Sequence, residues 1–209
     1  MSLNREKILT PFSLVVAILM MTHPGPPPDA ADTDDSDSDT QGGLMLTDFT
    51  ADTPDLRWYV QNDNVMGGRS QGGFEIAAEG QLIFAGSTNT NGGGFSSIRT
   101  RSLQFNLSKY DGIRLRVKAD GRRYTWQLQT DARYRGYRIS YWAEFDTRDG
   151  EWITVDIPFS RFYPQVRGYK LDEPEFDPGK ITELGLYIYD KQDGPFELRL
   201  DSISAYSAE

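Results

Sequence analysis

The chain has 209 residues, a formal net charge of −9, 12% aromatic residues and no cysteine. Without cysteine, disulfides, thiolate catalysis and Cys-built zinc sites are excluded, and the single histidine, His23, lies in a Pro-rich stretch, which removes Ser-His-Asp, Cys-His and His-metal chemistry from the rest. An acidic chain without a basic cluster also argues against nucleic acid as a partner.

In chain order, Arg5 and Lys7 precede a mostly apolar run over residues 8–21. That pattern reads as a signal peptide or short membrane anchor over residues 1–21, able to contact a membrane. Mitochondrial presequences are richer in Arg, so the expectation is an exported or anchored protein of a bacterial periplasm or cell surface. Residues 22–43 read as a Pro/Asp-rich disordered linker. Residues 29–41 hold six Asp and no base, so most of the net charge sits there. Such a run repels itself and has nothing to bury.

From residue 44 to 209 the composition is that of a folded domain. Two glycine-centred stretches come first. One contains Asp63, Met66, Gly67, Gly68 and Ser70; the other contains Gly93, Gly94, Phe95 and Arg99. Paired glycines permit close backbone approach. The expectation is that Asp63 and Arg99 pair across that contact as a loop lock, with Met66 and Phe95 packing the loops. The second stretch is neither a Walker loop nor a dinucleotide fingerprint, since it lacks Gly-Lys-Ser/Thr and the G-x-G-x-x-G spacing.

Beyond it the dominant period is two. Apolar and polar residues alternate over residues 113–118, 124–129, 152–157, 184–189 and 196–203, separated by Asp-Gly turn signals. This predicts an all-β domain, an antiparallel β-sandwich of jelly-roll type. If the apolar residues are core, then Arg114, Arg116, Gln127, Gln129, Tyr187 and Tyr189 face outward. On neighbouring strands they would form one face of bases, amides and tyrosines, suited to a partner or a ligand such as a sugar. Residues 133–142 form an irregular aromatic and Arg-rich stretch that reads as a strand or loop lining a sugar or protein cleft. The carboxylates Glu144, Asp146 and Asp156 single out no pair at the spacing that glycoside hydrolysis needs.

Trp58, Asp63, the Val65-Met66-Gly67-Gly68 run, Ser70, the Gly93-Gly94-Phe95 run, Ser97 and Arg99 together resemble the complex I intermediate-associated protein family. Trp152, the Ile157-Pro158-Phe159-Ser160 run, Phe162, Gly168 and the Leu200-Asp201-Ser202-Ile203 run fit the same pattern. The resemblance covers residues 44–206. It implies a galactose-binding-like sandwich that is not an enzyme and needs no cofactor. It also implies a scaffold or chaperone for a protein partner, with respiratory-chain subunits (complex I, NADH:ubiquinone oxidoreductase) as the candidates. The related sandwiches often carry a structural calcium between their first and last strands, which makes Asp48 and Asp201 candidate metal ligands. The alternative is an exported carbohydrate-binding module that uses the tyrosine-bearing sheet face.

Overall fold

The computed structural model describes residues 43–208. The leader over residues 1–21 and the linker up to residue 42 lie outside the described residues. The described chain folds into two antiparallel sheets, the jelly-roll sandwich that the alternating pattern predicts. The six-stranded sheet runs β3 (Gln71–Ala77), β4 (Gln81–Thr88), β13 (Gly194–Tyr206), β6 (Gly112–Ala119), β9 (Trp152–Pro158). Strand β1 (Gly43–Thr47) pairs with the C-terminal half of β13, past the point where β4 ends. The seven-stranded sheet runs β11 (Tyr169–Lys170), β10 (Tyr163–Val166), β8 (Tyr137–Asp146), β7 (Arg123–Tyr134), β12 (Glu183–Ile188), β5 (Ser96–Arg99), β2 (Tyr59–Val60).

Alternation sorts the side chains. Ile113, Leu115 and Val117 of β6 meet Leu198, Leu200 and Ile203 of β13 on the inner face of one sheet. Tyr124, Trp126 and Leu128 of β7, with Leu184, Leu186 and Ile188 of β12, cover the inner face of the other. Trp58 packs edge-on against Trp126 at 6.5 Å, extending this core toward β2. Of the strand or loop expected over residues 133–142, the structure has the strand. The stretch is the β7–β8 hairpin, closed by a two-residue Arg135-Gly136 turn in which both residues have positive φ. Arg133, Arg135 and Arg138 interrupt its apolar run and make the stretch read as irregular.

Asp63 connects the two sheets. It is 0% exposed and its carboxylate accepts four hydrogen bonds. Ser70 donates through its backbone N–H at 2.9 Å and its hydroxyl at 2.6 Å, and Ser70 leads directly into β3. Gly94 and Phe95 donate backbone N–H groups at 2.6 and 3.3 Å, and they lead into β5. Asn62 repeats the link, accepting from the Ser96 hydroxyl and donating to the Gly72 carbonyl. Burial pushes the Asp63 carboxyl up, but the donors from Gly94, Ser70 and Phe95 outweigh it and hold the group below the usual Asp value. The expected Asp63–Arg99 pair does not form. Backbone amides and Ser70 saturate the carboxylate, and Arg99 lies on the outer face of β5 over the Tyr187 ring. The two glycines matter here for space. A Cβ on Gly68 would stand 2.2 Å from the Asp63 carboxyl carbon, and one on Gly93 2.3 Å from its Oδ2.

At another edge, Arg122 after β6 and Asp190 after β12 form a nearly buried ion pair at 2.6 Å. Arg122 also donates to the carbonyls of Gln192, Gly194 and Pro195, fixing the entry to β13.

Asp63→Ala leaves four donors without their acceptor, three of them backbone amides. Each orphaned buried donor costs about 1–3 kcal/mol, so urea unfolding should show a loss of at least roughly 3 kcal/mol. Gly93→Ala should also destabilise strongly, while Gly73→Ala, whose Cβ meets nothing within 4 Å, should be close to neutral. Because the folded Asp63 pKa is depressed, its contribution is complete above the ordinary Asp value and is lost as pH falls through the folded one. Asp63→Asn should therefore flatten the acid limb of stability against pH.

Candidate functional site

The outer face of the seven-stranded sheet carries a cleft of about 600 Å³. Its floor is a cluster of rings. Trp142 of β8 lies 5.1 Å from Tyr187 of β12 and 6.1 Å from Tyr189, and Phe95 lies 6.1 and 6.3 Å from the same two tyrosines. Alternation puts Trp142 here, since Tyr141 and Ala143 on either side of it face the core. The rim is formed by Val65 and Met66 from the first glycine loop and by Tyr137, Arg138, Val166 and Arg167 from the two hairpin tips. Val65 and Met66 are 63% and 67% exposed. Met66 was expected to pack its loop. The one-turn 3-10 helix over Asp63–Met66 instead turns Asp63 inward and leaves Met66 outside.

Beneath the rings is a closed polar network. Gln127 Oε1 accepts from the Tyr187 hydroxyl at 2.9 Å and from Trp142 Nε1 at 3.1 Å, and Gln127 Nε2 donates to Glu183 Oε1 at 2.9 Å. Gln129 donates to the Ser140 hydroxyl at 3.0 Å. Burial raises the Glu183 carboxyl above its usual value, against the opposite pull of Arg99 and Arg138. Burial likewise pushes the Tyr187 phenol upward, so it stays a hydrogen-bond donor at neutral pH. No Asp or Glu lines the 600 Å³ cleft. A second hollow of about 460 Å³ adjoins it across Trp142, Gln165 and Tyr189, and has mixed charge: Glu144 and Asp190 with Arg123, Lys170 and Lys191. There Glu144 accepts a hydrogen bond from Tyr163.

The expected mixed face divides in two. Gln127, Gln129, Tyr187 and Tyr189 do lie together on or beside β7 and β12, which are neighbours. Gln127 and Tyr187 are 0% and 4% exposed, so they support the floor while Tyr189 and Trp142 are the accessible rings. Arg114 and Arg116 belong to β6 in the other sheet, on its outer face, where they pair with Asp156 at 2.6 Å and Asp201 at 3.5 Å. Period-two patterning assigns a side chain to a face but does not say which sheet a strand joins. The sequence also gave no weight to β10 and β11. Their signal was present: Arg167-Gly168 before Tyr169 repeats the Arg135-Gly136 hairpin turn before Tyr137.

Asp48 and Asp201 do not fit a calcium ion. Asp48 is capped by Thr50 and Thr53 hydroxyls at 2.6 and 2.9 Å, and the Arg116 guanidinium beside Asp201 would repel a cation. Among the described residues no group of three or more His, Asp or Glu side chains gathers to hold a metal.

The raised Glu183 pKa contributes stability that is complete below the ordinary Glu value and fades as pH rises through the folded one. Glu183→Gln keeps an acceptor for Gln127 without the buried charge. The variant should gain thermal stability relative to the parent as pH rises above the ordinary Glu value, in melts followed by tryptophan fluorescence.

The model of the family described as Complex I intermediate-associated protein 30 matches residues 47–200. A Drosophila melanogaster protein named Complex I intermediate-associated protein 30, mitochondrial, is 30% identical over 187 residues, covering 76% of this chain and 61% of its own length. The Mus musculus protein of that name is 26% identical over 171 residues, covering 72% and 52%. This chain thus spans less than two thirds of the relatives it matches. Both are named mitochondrial, which overturns the expectation of a bacterial periplasmic or cell-surface location. Basic residues ahead of an apolar run are common to leaders for more than one compartment and do not discriminate between them. Among solved structures, the family 11 carbohydrate-binding module from Clostridium thermocellum, in complex with a β-1,3-1,4-mixed-linked tetrasaccharide, superposes with a TM-score of 0.60. Identity is 18%, with 80% of this chain and 97% of the module covered. A family 30 carbohydrate-binding module gives 0.51 at 13% identity over 80% and 89%. At those identities the likeness establishes the galactose-binding-like sandwich and nothing about ligand. With the glycine loops, the sandwich and most of the chain matched, the protein belongs to the Complex I intermediate-associated protein 30 family.

Proposed function

We propose that this domain is a non-catalytic binding domain that assists assembly of respiratory complex I in mitochondria, acting as a scaffold or chaperone for a protein partner. The observation that carries the reading is the cleft on the seven-stranded sheet: accessible Trp142 and Tyr189 rings, an exposed Val65–Met66 rim and no carboxylate in the lining. Aromatic, Met and Arg side chains are the types enriched where proteins bind each other. Family membership and the names of the relatives support the same reading.

The lining argues against chemistry. Acid–base work on a glycosidic bond needs two free carboxyl groups facing one substrate. Glu183 is held under the floor by Gln127, Glu144 is held by Tyr163, and Asp156 lies on the opposite sheet with Arg114. The carbohydrate-binding alternative draws on the same rings, but two of the polar groups expected to meet a sugar, Gln127 and Gln129, are buried.

The test is capture of crosslinked partners by the tagged full chain in its own cells, compared with Trp142→Ala and Met66→Asp. Respiratory-chain subunits should be recovered with the parent and reduced tenfold or more with either variant, since buried aromatic anchors at interfaces are worth about 2 kcal/mol or more. Glycan-array binding lost in Trp142→Ala, with no specific protein recovered, would replace this reading by the carbohydrate one.

A further inference from the structure

Three guanidinium groups reach the cleft from three different elements: Arg99 on β5, Arg138 on β8 and Arg167 at the β10–β11 turn. None is in an ion pair among the described residues. The arginines of the opposite sheet's outer face contrast with them, since Arg114, Arg116 and Arg199 each have a carboxylate. Arg99 Nε is buried with no hydrogen-bond partner at all. A buried donor left open in an otherwise satisfied site calls for an explanation, and an acceptor supplied from outside is one.

Two further details point the same way. Arg99 lies 5.0 Å over the Tyr187 ring and Arg167 lies 4.1 Å over the Tyr137 ring. Stacking on a ring fixes the guanidinium plane and leaves its N–H edge available for a carboxylate. Arg167 also holds a positive φ of 52°. Asn or Gly adopts that conformation at lower cost, and those are the residues such two-residue turns favour.

We propose that this cleft binds an acidic, extended segment of the protein partner, seating a Glu or Asp carboxylate against Arg99, Arg138 and Arg167 with an adjacent apolar side chain on Val65 and Met66. The inference rests on the partner-binding reading and specifies the chemistry of the partner. Charge and apolarity together select the occupant. Three cations with one nearby acid, Glu183, and no acid in the lining favour an anion, and a strip of exposed Val and Met beside them favours a ligand with alternating acidic and apolar groups.

The probe is a labelled alternating Glu-Leu octapeptide, with its Gln-Leu counterpart, titrated against the full chain by fluorescence anisotropy. The Glu-Leu peptide should bind at least tenfold tighter, and the difference should shrink as salt rises from about 50 to 300 mM, as screening requires. Arg138→Gln and Arg167→Asn should each weaken binding about fivefold or more. Asn suits the turn backbone, so Arg167→Asn removes the charge without disturbing the hairpin. Arg135→Asn makes the same change in the matching turn outside the cleft and should have no effect. Equal affinity for the two peptides, or unchanged affinity in both cleft variants, would overturn the proposal. So would displacement of the peptide by millimolar inorganic phosphate, or arginine-dependent sedimentation with phosphatidylserine vesicles in the absence of peptide binding. If captured partners are lost with Trp142→Ala but retained with both arginine variants, the partner reading stands and the acidic-segment proposal falls. If arginine-dependent Glu-Leu binding persists while no protein is captured, the cleft chemistry stands and the partner reading falls.

Discussion

One buried carboxylate organises this domain. Asp63 accepts from Ser70 at the start of β3 and from Gly94 and Phe95 at the start of β5, so a single side chain joins the edges of the two sheets. A carboxylate can do this because it offers several lone pairs to donors arriving from different directions. Burying that charge is costly, and only a full set of donors offsets it. The two glycines that touch it provide room for the loops to close. The same closure puts Phe95 over the tyrosines and leaves Val65 and Met66 standing at the rim. The stability of the sandwich edge and the shape of the cleft therefore depend on one interaction.

The two outer faces of the sandwich have different uses of charge. On the six-stranded sheet, Arg114 binds Asp156 through two parallel hydrogen bonds, and Arg116 and Arg199 also have acids beside them. Such exposed pairs contribute little to stability and leave a neutralised, solvated surface. On the seven-stranded sheet, the long side chains stack on aromatic rings and the nearest acid, Glu183, is under the floor with Gln127. Around the 600 Å³ cleft that face presents arginines and rings with no acid in the lining, while its acids gather in the adjoining hollow. Such a surface is suited to recognition, while the opposite face is suited to water.

The glycine loops illustrate how far the sequence could be read. Their spacing and residue types marked Asp63, Gly68, Ser70, Gly93 and Gly94 as one unit, and they are one unit. The partner of Asp63 was misassigned to Arg99. A linear reading weighs side chains against side chains, and here the decisive donors are backbone amides, which every residue has. Met66 shows a similar limit. Its apolar character suggested packing, but Met66 closes the short 3-10 turn at the cleft rim and stays largely exposed. Trp142 could be recognised as cleft-lining only as part of the stretch over residues 133–142. Its exact role needed the knowledge that β8 is a regular strand with Tyr141 turned to the core.

By itself the sequence determined the fold class, the inward sets of β6, β7 and β12, and the absence of cysteine and of histidine beyond His23. Those properties are local, or follow from period and composition, and they survive any arrangement of the strands. Tertiary structure decided which strands share a sheet. It separated Arg114 and Arg116 from Gln127 and Tyr187, buried the amides under Trp142 and brought Arg99, Arg138 and Arg167 to one cleft. Residues 68 positions apart in the chain, as Arg99 and Arg167 are, line one cleft only because β5 and β10 belong to the same sheet. Hydrogen bonding between strands is made by the backbone and is nearly blind to side chains, so strand order is set by the packing of the whole core and not by any one segment.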